Sequence, residues 1–205
     1  MNFSTKNIQV ILASSSKARI DYLRKNKISF ITKKHNVDEE TIKKKIRTPT
    51  LLSEKLALLK AKSIEATSRE QIIIGSDQIL VCQNKIINKP KNVNEAKKNL
   101  EFLRKKEHTL ISSITAIQNG GVVFKETYKA KLKFRDITDK QIEEYLQENE
   151  ETALSCVGSY KIEDNNKYKF IEIIDGTLET IIGFPAKNLI NIIKNEKNIC
   201  NRKSS

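Results

Sequence analysis

Ile11-Leu12-Ala13-Ser14-Ser15-Ser16-Lys17-Ala18-Arg19 is the stretch of sequence that indicates the fold. The apolar run that begins at Val10 stops at three serines, and a helical pattern follows with Arg19 in its first turn. We therefore predict a strand that runs into a helix N-terminus, where free N–H groups and the helix dipole favour an anion. The serine hydroxyls and the Arg19 guanidinium form a candidate phosphate cradle, although a serine-capped helix with a surface arginine explains the same residues.

The composition restricts the class of protein. The 205 residues suffice for one substantial core or for two small lobes around a cleft. The absence of a run of about 20 apolar residues argues against a membrane span. The polar segment 1–9 lacks the apolar core of a signal peptide. Three scattered cysteines predict neither a disulfide framework nor a zinc site, and favour a cytoplasmic location. The net charge of +13 comes from lysines spread along the chain, so nucleic-acid binding is not favoured.

Predicted strands and helices intermix along the chain, which indicates an α/β class with a mixed sheet. Alternating or apolar runs predict strands at 8–12, 28–32, 71–74, 79–82, 86–87, 109–117, 122–134 and 169–174. Asn119-Gly120-Gly121 predicts the turn of a long hairpin. Helices are predicted after the caps Ser53, Asn92 and Thr138, and a last helix opens at Pro185. We predict one domain over 1–194 and a disordered polar tail over 195–205.

The strand predicted at 71–74 ends at Gly75-Ser76-Asp77-Gln78. A carboxylate just past the end of a buried strand lies where α/β proteins place ligands and catalytic groups. Asp77 is therefore a candidate for binding a divalent cation or activating water, and a turn-forming aspartate is the alternative.

Further charged residues are candidates for binding a cation or a phosphate. The acidic stretch 37–40 offers more carboxylates, but such a cluster is also typical of a solvated surface or a helix start. Lys60 and Lys89, together with Arg19, would suit a polyphosphate, whose charge requires several cations or a metal.

These residues stand in the order found in the Maf family of nucleoside triphosphate pyrophosphatases, which the chain resembles from residue 8 to about 193. The matching blocks are L-A-S-x-S-x-x-R at 12–19, V-D-E at 37–39, L-A-x-x-K-A at 56–61, G-[AS]-D-[TQ] at 75–78, K-P at 89–90, [AV]-G-x-[YF] at 157–160 and I-x-G-L-P at 181–185, where Phe184 replaces leucine.

The resemblance implies hydrolysis of a nucleoside triphosphate to the monophosphate and pyrophosphate with a divalent cation, Mg²⁺, Mn²⁺ or Co²⁺. It implies that Asp77 is the proton acceptor. The other roles that it carries over are phosphate binding by Ser14, Arg19, Lys60 and Lys89, and metal binding by Glu39 with Asp77. It also implies an elongated Maf/ITPase-like fold, a mixed sheet flanked by helices around a central cleft, and a homodimer.

With Gln78 and Glu163, the chain resembles the branch of the family that prefers 7-methyl-GTP, rather than the branch that acts on dTTP and UTP. A carboxylate can accept hydrogen bonds from the guanine N1–H and exocyclic amine, which gives Glu163 a physical role. That branch commonly has tryptophan where this chain has Ala18. The alternative function is a non-enzymatic regulator of cell division that binds nucleotide or nucleic acid. Carboxylates at Glu39 and Asp77 argue against DNA, since they repel phosphates unless a cation intervenes.

Overall fold

A computed structural model of the chain describes residues 8–203, with side chains described as far as 195. The strands are β1 (Gln9–Leu12), β2 (Phe30–Thr32), β3 (Gln71–Cys82), β4 (Lys85–Ile87), β5 (Glu107–Gln118), β6 (Gly121–Phe134) and β7 (Ile171–Asp175). The helices are α1 (Lys17–Lys25), α2 (Glu39–Lys45), α3 (Pro49–Lys62), α4 (Val93–Leu103), α5 (Asp139–Ser155), α6 (Asn165–Tyr168), α7 (Leu178–Ile181) and α8 (Lys187–Lys203).

The described residues form a seven-stranded mixed sheet, which confirms the predicted α/β class. The strand order is β2-β1-β3-β5-β6-β7, and β4 pairs with β3. β1 lies parallel to both β2 and β3, and its pairing with β3 ends at Leu12 opposite Ile74. Asn119 and Gly120, both with positive φ, form the predicted turn between β5 and β6.

The described residues divide into two compact units. The first unit comprises those within Met1–Asp77, Ser112–Tyr128 and Gly183–Ser205, and the second comprises Gln78–Ile111 and Lys129–Ile182. The first unit contains an apolar cluster built on Ile11, Ile73 and Ile117. The second unit has a larger core that includes the buried rings of Phe134 and Tyr145. The single domain predicted over 1–194 stays a prediction.

Two predicted element boundaries are wrong, and both concern the candidate site. β3 does not end at residue 74 but continues to Cys82, so Asp77 lies inside a strand. Gly75-Ser76-Asp77 has the composition of a turn, yet all three residues are buried, and this tertiary environment overrides local propensity. α3 does not begin after Ser53 but at Pro49, so Ser53 is an interior, fully buried helix residue. Proline is favoured in the first helical turn, which explains the earlier start.

The last helix begins at Lys187, two residues after Pro185, and continues to Lys203. The disordered tail predicted over 195–205 stays a prediction, since residues 204–205 and the side chains from 196 onward lie outside the described part of the chain. Within the described part, no helix has the length and apolarity needed to cross a membrane.

A buried histidine in the second unit gives a testable pH dependence of stability. His108 is 2% exposed, and its Nε2 lies 2.5 Å from the Tyr160 hydroxyl. Burial lowers the pKa of His108 from 6.5 to about 4. Because the unfolded chain takes up this proton more readily, the stability is fully present above pH 6.5 and is lost as the pH falls towards 4.

We expect His108 to account for a loss of about 2 kcal/mol between pH 7 and pH 5, which urea unfolding at the two pH values measures. This contribution should disappear in His108→Gln. His35→Gln is the control, because it removes the only other histidine and should leave the loss in place. An equal pH dependence in His108→Gln and the wild type would contradict the prediction.

Candidate functional site

The junction between β1 and α1 is the first part of the site. Ser14 is buried, and its Oγ accepts a hydrogen bond from the Ser16 amide at 3.1 Å. Ser16 is the N-cap residue of α1, but its side chain makes no capping hydrogen bond. A serine cap on α1 therefore does not account for these hydroxyls.

Arg19 connects three segments of the first unit. Its Nη1 donates to the carbonyl of Ser76 at 2.7 Å and to Ser14 Oγ at 3.4 Å, and its Nε donates to the carbonyl of Gly183 at 3.1 Å. Burial lowers the pKa of Arg19, and the charges of Asp77 and Glu39 oppose that shift. This arginine therefore holds the main chain beside Asp77, a role that the sequence did not reveal.

Lys60 lies between two carboxylates. Its Nζ is 2.6 Å from Asp77 Oδ1 and 2.7 Å from Glu39 Oε1. Lys60 and Asp77 are 6% and 5% exposed, whereas the Glu39 side chain is 31% exposed. The three residues come from α3, β3 and the first turn of α2, respectively. The structure thus brings together Glu39, Lys60 and Asp77, as the candidate site requires.

The close approach of α3 to β3 depends on Gly75. A Cβ atom at this position would lie 2.2 Å from the Ala57 carbonyl oxygen and 2.6 Å from the Ala61 nitrogen. Both atoms belong to the backbone of α3, so only glycine allows this distance. Lys60, which lies between those two helix positions in sequence, can therefore reach Asp77.

Burial and charge act in opposite directions on the two carboxylates. Burial raises the pKa of Asp77, and the neighbouring Lys60 and Arg19 reduce that increase without cancelling it. Burial also favours a higher pKa for Glu39, but the charge and hydrogen bond of Lys60 outweigh it and the pKa is lowered. The pair therefore combines a more basic carboxylate, Asp77, with a readily ionised one, Glu39.

Asp77 Oδ2 is a buried oxygen with no hydrogen-bond partner in the described part of the chain. Such an atom indicates a missing ligand or water. A carboxylate oxygen beside a second carboxylate fits a hard divalent cation, and Mg²⁺ is commonly bound by one or two carboxylates together with substrate phosphates. Among residues 8–203 no group of three or more His, Cys, Asp or Glu could hold a metal alone, so the residues fit a cation shared with a phosphate.

The remaining predicted residues belong to the second unit. Gln78 lies in β3, and its Nε2 donates to the carbonyls of Thr180 at 3.0 Å and Ile181 at 2.9 Å. Both amide protons are used, so the side-chain oxygen of Gln78 can only accept elsewhere. Lys89 and Glu163 are exposed, Lys89 between β4 and α4 and Glu163 before α6.

Sequence reasoning missed several residues that support the site. Ser76 is fully buried, and its hydroxyl lies within hydrogen-bond distance of the carbonyls of Ser113, at 2.7 Å, and Gly183, at 2.9 Å. His35 Nε2 lies 3.8 Å from Glu39 Oε1. The serine within Gly75-Ser76-Asp77 was a usable signal, because a small hydroxyl residue in a buried strand requires hydrogen-bond partners.

The chain belongs to the Maf family, since the sequence profile of the family described as Maf-like protein matches residues 9–196. A nucleoside triphosphate pyrophosphatase of Pelagibacter ubique is 34% identical over 91% of this chain and 97% of its own length. A 7-methyl-GTP pyrophosphatase of Bartonella henselae is 36% identical over 88% of this chain and 92% of its own. A HAM1 protein from Coxiella burnetii superposes with a TM-score of 0.39 and 14% identity, over 61% of this chain and 71% of that chain, values too low to show a shared fold.

Proposed function

We propose that this protein is a metal-dependent nucleoside triphosphate pyrophosphatase, which hydrolyses a nucleoside triphosphate to the monophosphate and pyrophosphate. The observation that carries the proposal is the unpartnered oxygen of Asp77, buried beside Lys60 and Glu39. The similarity to relatives named as pyrophosphatases over nearly the whole chain supports it. The cytoplasmic location and the homodimer belong to the same proposal.

Asp77 is the proton acceptor in this proposal. Its raised pKa makes the ionised carboxylate a stronger base than an exposed aspartate. Oδ1 is fixed by Lys60, so Oδ2 is the oxygen that orients the water and takes its proton. The water attacks the α-phosphorus, and the bond from the α-phosphorus to the departing pyrophosphate breaks. Lys60 prevents Asp77 from moving and contributes positive charge beside it.

Ser14, Arg19, Lys60 and Lys89 are the proposed phosphate-binding residues. Arg19 Nη2 makes no hydrogen bond to any described residue, so its protons are available to a phosphate oxygen. Lys60 Nζ has three protons, of which two point to Asp77 and Glu39. Positive charge from these groups stabilises the pyrophosphate as it leaves.

Glu39 and Asp77 are the residues that would hold the divalent cation. When bound, the cation neutralises phosphate charge and polarises the phosphoryl oxygens. The lowered pKa of Glu39 keeps this ligand ionised, which metal binding requires.

The preferred base is proposed to be a guanine of the 7-methyl-GTP type. A relative named 7-methyl-GTP pyrophosphatase, 36% identical over 88% of this chain, supports this base. Glu163 is exposed and, when ionised, only accepts hydrogen bonds. The two oxygens of its carboxylate match adjacent donors such as the guanine N1–H and exocyclic amine, whereas uracil and thymine offer a single N–H between two carbonyls.

The function is tested by measuring pyrophosphate release from GTP, 7-methyl-GTP, ATP, dTTP and UTP with Mg²⁺, Mn²⁺ or Co²⁺, and with EDTA as the metal-free control. We expect metal-dependent release, with the guanine nucleotides preferred over UTP and dTTP by about tenfold or more, the effect of one or two hydrogen bonds. Nucleotide binding without release from any substrate would favour the regulatory alternative. Release that prefers dTTP or UTP would retain the enzyme and reject the proposed base.

A further inference from the structure

Ser53 has a hydroxyl that core packing does not explain. It lies inside α3, is 0% exposed and has the buried residues Leu52 and Leu56 near it in sequence. Alanine would fill this position equally well and is a better helix former. A buried hydroxyl is retained only at a cost unless it is hydrogen-bonded, so its partners are informative.

The partners of Ser53 lead directly to Asp77. Ser53 Oγ donates to the main-chain carbonyl of Asp77 at 3.2 Å and lies 2.9 Å from Ser113 Oγ. A serine has one hydroxyl proton, and that of Ser53 serves two acceptors, the Asp77 carbonyl and Ser113 Oγ. Ser113 is also 0% exposed, and its Oγ lies 2.9 Å from Thr127 Oγ1. The hydroxyls of Ser53, Ser113 and Thr127 thus form one hydrogen-bonded group beside the main chain of Asp77, and Thr127 also donates to Glu54 Oε1 at 3.3 Å.

The same face of α3 contacts β3 at three points. Ser53, Ala57 and Lys60 are spaced i, i+4 and i+7, so they lie on one side of the helix. Ser53 binds the main chain of Asp77, Ala57 is in close contact with Gly75, and Lys60 binds the Asp77 carboxylate. The first and last of these points lie about 10 Å apart along the helix axis. Together they fix the position of the helix along the strand.

We propose that Ser53 is a positioning residue, oriented by Ser113, which fixes the register of α3 on β3 so that Lys60 Nζ stays against Asp77 Oδ1. The inference rests on the proposed function, because it assigns Ser53 to the proton acceptor of that reaction. Ser53 does not touch the reacting atoms. Without its hydrogen bond, α3 is held on β3 by apolar contacts and Lys60, while Glu54 of α3 contacts Lys125 and Thr127 of β6 rather than β3. Apolar contacts constrain sliding along the strand less than a directional bond.

The test compares Ser53→Ala and Ser113→Ala with the wild type in a steady-state assay of pyrophosphate release. We expect kcat to fall about ten- to a hundredfold, the cost of a catalytic group misplaced by about 1 Å, with KM little changed. Thr115→Val is the matched control. Thr115 lies two residues from Ser113 on the same face of β5, and its buried Oγ1 has no hydrogen-bond partner in the described part of the chain. This control should retain wild-type kcat.

A second measurement does not depend on turnover. The distance between Lys60 Nζ and Asp77 Oδ1 is 2.6 Å in the wild type. Crystal structures of both proteins should show a longer distance in Ser53→Ala. A wild-type kcat in Ser53→Ala, or an unchanged distance, would overturn the positioning role even if Asp77→Asn is inactive. Failure of the wild type to release pyrophosphate would instead reject the proposed function, and the crystallographic distance would still decide the role of Ser53.

Discussion

Asp77→Asn is expected to lower kcat for pyrophosphate release by about a thousandfold, the typical contribution of a general base. Asparagine has nearly the same shape, and its amide oxygen can still accept from Lys60 at the position of Oδ1. It cannot take a proton from water, and its nitrogen would occupy the position of Oδ2, which has no hydrogen-bond partner among the described residues. Glu39 still pairs with the Lys60 ammonium at 2.7 Å, so the fall in kcat should exceed what the loss of one buried charge costs in stability.

Three measurements separate these effects: kcat, nucleotide binding by calorimetry, and urea unfolding. We expect binding and stability to change little compared with kcat. Asp38→Asn is the matched control, because Asp38 is an exposed aspartate beside Glu39 that caps α2 by accepting from the Thr41 amide. Asparagine caps helices as well as aspartate does, so this variant should remain active. Full activity in Asp77→Asn would reject Asp77 as the proton acceptor.

Gly75→Ala is expected to have the largest effect on stability. The added Cβ would meet the Ala57 carbonyl oxygen at 2.2 Å and the Ala61 nitrogen at 2.6 Å, and both atoms belong to the backbone of a helix. Neither atom can rotate away, so α3 and β3 must separate. We expect a loss of about 3 kcal/mol or more in the free energy of unfolding, at the upper end of the range for overpacked cores.

Urea unfolding measures this loss, and kcat should fall in the fraction that remains folded because Lys60 is carried away from Asp77. Gly121→Ala is the control. A Cβ at Gly121 has the Gln118 carbonyl oxygen at 3.7 Å as its nearest contact, which is ordinary van der Waals distance. Equal stability of the two variants would contradict the role of Gly75 as the close contact between α3 and β3.

Local sequence patterns were sufficient to predict much of the fold. The strand-to-helix junction at Ser14–Arg19, the hairpin turn at Asn119-Gly120 and the caps at Asn92 and Thr138 were all predicted, and the structure contains each of them. These features depend on residues close together in the chain, through periodicity, turn preference and side-chain capping. The short helices α6 and α7 were not predicted, since four-residue helices leave no periodicity to read.

The candidate site was predicted by residue type but not by arrangement. The order of the charged blocks singled out Glu39, Lys60 and Asp77, and the structure brings these side chains together. The sequence placed Asp77 in a loop and Ser53 at a helix start, whereas one lies in a strand and the other inside a helix. Propensity favours turns and caps for these residues, and only burial against another element reverses that preference.

The sequence by itself therefore determined the α/β class, the family and the charged residues of the site, because periodicity and the order of motifs are properties of the chain. The tertiary structure alone decided that Lys60 bridges two carboxylates, that Arg19 holds the main chain of Ser76 and that Ser53 binds the main chain of Asp77. These contacts join residues 17 to 57 positions apart, or lie on elements whose packing depends on the missing Cβ of Gly75. Distances of this kind arise from packing, which no local pattern encodes.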